Sequence, residues 1–178
     1  FGGGLDLAIK ENNRYTFRHF FPKTFGQRRT RAIIEDSNGW IWVGNSDGVY
    51  VFSPDSLQAD PQNYLTYNYN NGKLRSNEIK CIYQDTQNRI WIGSSGGGLS
   101  MCIPGTDYHN LTFKHYGTSN GLVNDMVQAI AEDKQGNLWI ATEYGISRFN
   151  PETQAFDNYF FSAYTLGNVY SDNSSCVS

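Results

Sequence analysis

The chain has little charge, little cysteine and no long apolar run. Charged residues make up 17% of its 178 residues and the net charge is −3, which argues against nucleic acid as a partner. The one basic cluster, Arg28, Arg29 and Arg31, is interpreted as a solvated loop. Its three cysteines form no CxxC pair, which argues against both a disulfide framework and a zinc site. No apolar stretch approaches the ~20 residues of a membrane span, so membrane attachment is expected only through missing parts of a longer protein.

A long internal repeat dominates what is present. Asp36, Asp85 and Asp133 lie 49 and 48 residues apart, and Trp42, Trp91 and Trp139 have the same spacing. A period of this size is typical of β-propellers and related repeat arrays. The three copies are IEDSNGWIWVGNSDGVYVF at 34–52, IYQDTQNRIWIGSSGGGLSMC at 82–102 and IAEDKQGNLWIATEYGISRF at 130–149.

Each repeat is predicted to form a four-stranded antiparallel blade. The aspartate, for example Asp85, begins a tight turn between two strand-forming stretches and can accept hydrogen bonds from amides downstream. Three residues later stand Gly39, Asn88 or Gly136, which tolerate the left-handed backbone that ends such a turn. A glycine-rich turn, a third strand and an aromatic fourth strand complete the blade.

The repeat tryptophans are predicted to be core residues, each packed against the next blade opposite a small residue such as Gly93. Trp40 is out of phase with them and is predicted to make an exposed contact. Cys81 and Cys102 fall on the first and third strands of one blade. Strands two apart are separated by ~9.5 Å, which is too far for a disulfide.

The predicted fold class is all-β, a partial β-propeller with about three complete blades and part-blades at both ends. The chain is treated as one propeller segment, 1–178. Because a propeller needs four to eight blades to close, we expect exposed blade edges that favour self-association or contact with the remainder of the propeller. The predicted divisions are the end of a blade at 1–23, blades at 24–70, 71–117 and 118–164, and the start of a blade at 165–178.

The pattern D-x-x-G-x-[IL]-W-[IV]-[GA]-x-x-x-G-[LIV] resembles the two-component regulator propeller repeat. The stretches at 71–82 and 119–130 resemble the family's linker into the first strand, with Asn77 and Asn124 as its asparagine. The resemblance implies the periplasmic, ligand-sensing part of an inner-membrane hybrid two-component system. It also implies a dimeric receptor, an oligosaccharide ligand released from a polysaccharide, and a histidine kinase outside this chain.

No catalytic motif accompanies the repeat, so the segment is predicted not to be an enzyme and to use neither a cofactor nor a metal. His19 and His115 occupy equivalent places in fourth strands, which favours a structural cause for both. Two alternatives stay open. One is a propeller polysaccharide lyase or glycosidase with a carboxylate pair in a cleft, and the other is a purely structural propeller that binds proteins.

Ligands of propellers usually meet one rim, which is built here from the turns between second and third strands and from the linkers into first strands. Planar hydrogen-bonding groups and aromatic rings on this rim suit sugars. Trp40 is added to the candidates for its aromatic chemistry. The predicted ligand-binding residues are Trp40, Asn45, Asp47, Lys73, Arg75, Asn120, Asp125, Glu143 and Tyr144.

Overall fold

The computed structural model describes residues 5–20, 29–60 and 63–160. These residues form one two-stranded and three four-stranded sheets, all antiparallel. The predicted all-β class and partial propeller are therefore confirmed. The predicted start of a blade at 165–178 lies outside the described residues, as does Cys176.

Every sheet is a simple meander in which each strand pairs with the next along the chain. The hairpin is β1 Leu5–Glu11 and β2 Arg14–Phe20. The first blade is β3 Ala32–Glu35, β4 Ile41–Asn45, β5 Gly48–Phe52 and β6 Leu65–Tyr67, with a short helix α1 at Ser56–Ala59. The second blade is β7 Ile79–Gln84, β8 Ile90–Ser94, β9 Gly98–Cys102 and β10 Lys114–Tyr116. The third blade is β11 Val127–Glu132, β12 Leu138–Thr142, β13 Gly145–Asn150 and β14 Ala155–Phe160.

The first strands of the three blades lie together. β7 of the second blade contacts both β3 and β11, whereas the fourth strands pair only with third strands. The first strand is therefore the innermost strand of each blade, and the fourth is the outermost. Two short 3₁₀ turns, Tyr108–Asn110 and Thr118–Asn120, lie in the connections between strands.

The repeated aspartate links the hairpin turn to the tryptophan. In the second blade, Asp85 Oδ1 accepts from the amides of Gln87 and Arg89 at 3.0 and 2.9 Å. Asp85 Oδ2 accepts from Trp91 Nε1 at 2.7 Å. The same indole bond joins Trp42 to Asp36 at 2.8 Å and Trp139 to Asp133 at 3.0 Å.

The turn residue three positions after each aspartate has the left-handed backbone that the sequence predicts. Its φ is 80° at Gly39, 62° at Asn88 and 79° at Gly136. Asparagine is among the side-chain-bearing residues that tolerate this conformation. The turn chemistry is thus the same in all three copies despite the change of residue.

Blades pack through a small residue on the second strand. An added Cβ on Gly44 would lie 2.6 Å from Ile79 Cγ2, and one on Gly93 would lie 2.5 Å from Val127 Cγ1. Ile79 and Val127 each belong to the first strand of the following blade and are fully buried. Neighbouring blades therefore approach closely enough to exclude a methyl group at these two positions.

The predicted core role holds for Trp42 and Trp91, which are fully buried. Tyr108 and Phe149 of the following blades lie against them, with ring centroids 6.2 and 5.7 Å away. Trp139 departs from the prediction because it is 37% exposed. Its partner is the ring of Tyr159 in its own blade, 5.6 Å away.

The two cysteines of the second blade also follow the prediction. Cys81 lies on β7 and Cys102 on β9, and both are buried and unbonded to each other. Burial raises the pKa of the Cys102 thiol, with a further contribution from the negative charge of Asp36. A thiol held in its neutral form is a poor nucleophile, so Cys102 acts as a small apolar core residue.

Candidate functional site

The turns between second and third strands meet the linkers into first strands on one side of the blades. Gly98 N donates to Asp125 O at 3.0 Å, and Ser95 N donates to Glu78 O at 2.8 Å. Glu143 N makes the equivalent bond to Met126 O at 3.2 Å. We call this side the linker rim; it comprises residues 45–48, 68–78, 94–98, 116–126 and 142–145.

The opposite side carries the aspartate turns, 36–40, 85–89 and 133–137, and the connections from third to fourth strands. We call it the turn rim. Because strands alternate in direction, these segments necessarily lie at the other ends of the strands from the linker rim. The two rims therefore offer separate surfaces to a ligand.

Eight of the nine predicted ligand-binding residues fall on the linker rim, and Trp40 does not. Trp40 lies on the turn rim, where its indole stacks on Tyr108 of the second blade with ring centroids 4.0 Å apart and planes within 5°. It is half-buried rather than the exposed contact that the sequence predicts. The physical reason is the Tyr108 ring, which the connection 103–113 of the next blade brings against the indole.

Three of the eight linker-rim residues have side chains that hold local backbone or neighbouring groups. Asn45 is fully buried, and its Oδ1 accepts from Asp47 N at 2.7 Å. Asp47 Oδ2 accepts from the Tyr50 hydroxyl at 3.0 Å. Lys73 Nζ donates to Leu111 O at 2.9 Å, which draws the ammonium group towards the second blade.

Two more order the linker between the second and third blades. Asn120 Oδ1 accepts from Gly117 N at 3.0 Å. Asp125 accepts from the amide and the hydroxyl of Thr118 at 2.8 and 3.1 Å. These five side chains stiffen the rim, since each satisfies groups that would otherwise need water.

Arg75, Glu143 and Tyr144 are the remaining three, and they are the ones best placed to touch a ligand. Arg75 is exposed, and an added Cβ on Gly117 would lie 3.8 Å from its Nη1. Tyr144 is 67% exposed. Glu143 is half-buried and makes a long contact of 3.4 Å with the amide of Gln128. Arg75 and Glu143 thus flank the same linker, 116–126.

Asn77 and Asn124, the two asparagines of the linkers into first strands, are not structurally equivalent. Asn124 Oδ1 accepts from Met126 N at 2.8 Å, and the corresponding bond in the second blade joins Glu78 N to Ser76 Oγ at 3.2 Å. Asn77 instead accepts from Tyr69 N at 2.7 Å. Counted back from the first residues of β7 and β11, Asn124 corresponds to Ser76 and Asn77 to Asp125, so the two asparagines are one position out of register.

The histidines make equivalent contacts across fourth and third strands. His115 Nδ1 lies 2.9 Å from Ser100 Oγ, and His19 Nδ1 lies 2.7 Å from Asp6 Oδ1. Each pair is directly opposed in the antiparallel register. Burial and then the nearby positive charge of Arg75 lower the pKa of His115, so its ring is neutral at pH 7.

Within residues 5–20, 29–60 and 63–160, no cluster of three or more His, Cys, Asp or Glu side chains is arranged to hold a metal ion. The helices among these same residues are too short and too polar to cross a membrane.

The sequence reasoning missed the hollows on the turn rim. One, of about 530 Å³, is bounded by the connection between β9 and β10. Two others lie between blades: one of about 350 Å³ between the second and third, and one of about 150 Å³ beside Trp40 and His109 between the first and second. The available signal was the unequal length of the third-to-fourth-strand connections, 103–113 in the second blade against 151–154 in the third.

Comparison with known proteins connects this geometry to a family. The model of the two component regulator propeller matches residues 25–47, 73–96 and 121–144, one segment in each blade. Histidine kinase P4 of Formosa agariphila is 23% identical over 98% of this chain. The chain spans only 13% of the length of that relative.

Two solved structures share the fold. The extracellular domain of a B. thetaiotaomicron protein classed as a hybrid two component system superposes with a TM-score of 0.69 at 22% identity, over 89% of this chain and 22% of that one. Virginiamycin B lyase from Staphylococcus aureus superposes with a TM-score of 0.55 at 10% identity, over 88% of this chain and 45% of that one. The chain thus carries three repeats of the two component regulator propeller, one in each of its three four-stranded blades.

Proposed function

We propose that this chain is part of the extracytoplasmic, ligand-sensing propeller of a hybrid two-component sensor. The family repeats support this, together with the relatives described as a histidine kinase and as the extracellular domain of a hybrid two component system. The kinase and the membrane-spanning parts then belong to regions outside this chain. In this proposal the protein works in the periplasm of a cell that uses polysaccharides.

The proposed ligand is an oligosaccharide bound at the linker rim. The observation that carries this proposal is the exposed Tyr144 ring beside Glu143, on a rim that also presents Arg75. An aromatic face stacks on a sugar ring, while a carboxylate and a guanidinium bind its hydroxyls. Ligand binding would favour one relative arrangement of two receptor chains and so bias the kinase.

Calorimetric titration of the chain with a panel of oligosaccharides tests the proposal. Tyr144→Ala should weaken binding at least tenfold, which corresponds to about 1.4 kcal/mol. Tyr15→Ala is a matched control because Tyr15 is 60% exposed but lies on the β1–β2 hairpin, away from the linker rim. If no sugar gives heat, the chain acts instead as a structural propeller that binds proteins.

The lyase alternative gains nothing specific from the comparison with the staphylococcal enzyme. At 10% identity that similarity shows the fold alone. A propeller fold hosts unrelated activities, so function has to be argued from the site. An aromatic ring, a carboxylate and a guanidinium on the linker rim support the binding proposal instead.

A further inference from the structure

A polar groove of about 350 Å³ lies on the turn rim between the second and third blades. Its walls are the aspartate turns of both blades and the short connection between β13 and β14. The side chains that give the groove its polar character are Gln87, Arg89, Glu132, Gln135 and Glu152.

The groove is larger than the hollow between the first and second blades, about 350 against 150 Å³, and two differences between the repeats accompany this. Between the first and second blades, the Trp40 ring stacks on Tyr108, which reaches it from the connection 103–113. In the next copy Arg89 stands where the first has Trp40, and the connection shrinks to 151–154. An ion pair thus replaces two stacked rings, and space is left beside it.

The groove walls are held in place before any ligand arrives. Arg89 donates from Nε to Asp85 at 2.5 Å and from Nη1 to Glu152 at 3.1 Å. Glu132 crosses between blades and accepts from the amide and the hydroxyl of Thr86 at 2.9 and 2.7 Å. Preorganised walls of this kind lower the entropy that binding must overcome.

The groups left over for a ligand are neutral amides and a carboxylate. The side-chain amides of Gln87 and Gln135 are exposed and make no hydrogen bond with the described residues. The side chain of Glu152 is 80% exposed and its charge is only partly balanced, because Arg89 is shared with Asp85. With Glu132 opposite, negative charge exceeds positive charge in the lining.

Amides and carboxylates pair with vicinal hydroxyls, and an excess of negative charge repels uronate and sulfate groups. We propose that this polar groove is a second saccharide subsite, which takes a neutral sugar unit. The inference rests on the proposed sensor function but uses the rim opposite to the one that carries Tyr144. It assigns neutral rather than anionic oligosaccharides as the ligand class of this surface.

The test is calorimetry of the chain with neutral di- and trisaccharides of glucose, mannose and galactose, and with uronic-acid and sulfated oligosaccharides of the same length. We expect heat from at least one neutral sugar and an affinity at least tenfold lower in the Q87A/Q135A double variant. Both side chains are exposed and make no hydrogen bond within the part of the chain that the structure describes, so this variant should fold. Circular dichroism checks that it does. In ¹⁵N spectra of the parent chain, the side-chain amide signals of both glutamines should shift.

Tyr15→Ala, on the β1–β2 hairpin outside both proposed sites, is the control that should leave binding in the groove unchanged. If Tyr144→Ala weakens binding of the neutral sugar and Q87A/Q135A does not, the sensor proposal stands and the proposed subsite in the groove is wrong. Binding of anionic sugars alone overturns the groove in the same way. If no sugar gives a heat of binding, both proposals are wrong.

Discussion

Replacing Gly93 by alanine probes the contact that stacks the second blade on the third. The new methyl would lie 2.5 Å from Cys81 Sγ, 2.5 Å from Val127 Cγ1 and 3.2 Å from Val127 Cβ. Cys81 is 1% exposed and Val127 is fully buried, so neither side chain has open space into which it could move. The blades must separate or the side chains must leave their preferred rotamers.

Overpacking of this kind costs about 1–3 kcal/mol. The loss of chain entropy in the unfolded state returns about 0.4–1 kcal/mol, because alanine is less flexible than glycine. We therefore expect the free energy of unfolding to fall by about 1–2 kcal/mol and the Tm to fall by about 2–8 °C for a chain of this size. Urea denaturation and calorimetry measure both quantities.

Gly105→Ala is the matched control, since an added Cβ there meets nothing within 4 Å. A double-mutant cycle with Val127→Ala identifies the neighbour: the two changes together should cost about 1 kcal/mol less than their sum. Equal stability of the Gly93→Ala variant and the parent would show that the blades do not stack at this contact. An additive cycle would show that Val127 is not the group that the methyl meets.

Three further outcomes follow from the aspartate turns. Asp85→Ala should lower the free energy of unfolding by about 3–5 kcal/mol, since it leaves the buried Trp91 Nε1 and two backbone amides without an acceptor. Asp133→Ala should cost less, because Trp139 is 37% exposed and water can replace the carboxylate. Equal losses for the two variants in urea denaturation would contradict this. Tyr108→Phe should cost about 1–3 kcal/mol by the same assay, because its hydroxyl donates to Asp36 at 2.6 Å and accepts from Asn38. Burial opposes the charged form of Asp133, but hydrogen bonds from Asn137, Trp139 and Gln135 hold its pKa at about 2, below the usual 3.8. This lowered pKa adds at most about 2 kcal/mol to the free energy of unfolding above pH 4, and that contribution is lost as the pH falls towards 2. Asp133→Asn should flatten this part of the curve of stability against pH. An unchanged curve would refute the role given to Asp133.

The repeat was sufficient to predict the blades because each hairpin is specified locally. Asp85 and Asn88 determine the turn, and Trp91 lies six residues from its carboxylate partner, so no distant contact is needed to place them. The same reasoning applies to the other two copies. Because the repeats are regularly spaced, the strand order predicted for one blade applies to the next.

The site was less predictable because its contacts join distant segments. Trp40 was predicted to be exposed, but its position is set by Tyr108, which lies far along the chain in a connection of the next blade. Likewise, the sequence places hydrogen-bonding side chains on the linker rim, but it does not show that the Asp125 carboxylate already accepts a hydrogen bond from Thr118. A polar residue on a loop and a polar residue that binds a ligand look the same in a sequence.

Differences among the third-to-fourth-strand connections give each pair of blades its own turn-rim surface. The hairpin turns and the stacking of the second strands are alike where blades meet, while residues 103–113 and 151–154 differ in length and chemistry. The longer connection also joins two modules, since Tyr108 stacks on Trp40 and packs near Trp42 of the preceding one. Grafting it into the third module would therefore require a tryptophan in place of Arg89, so that the transplanted ring meets the same kind of partner.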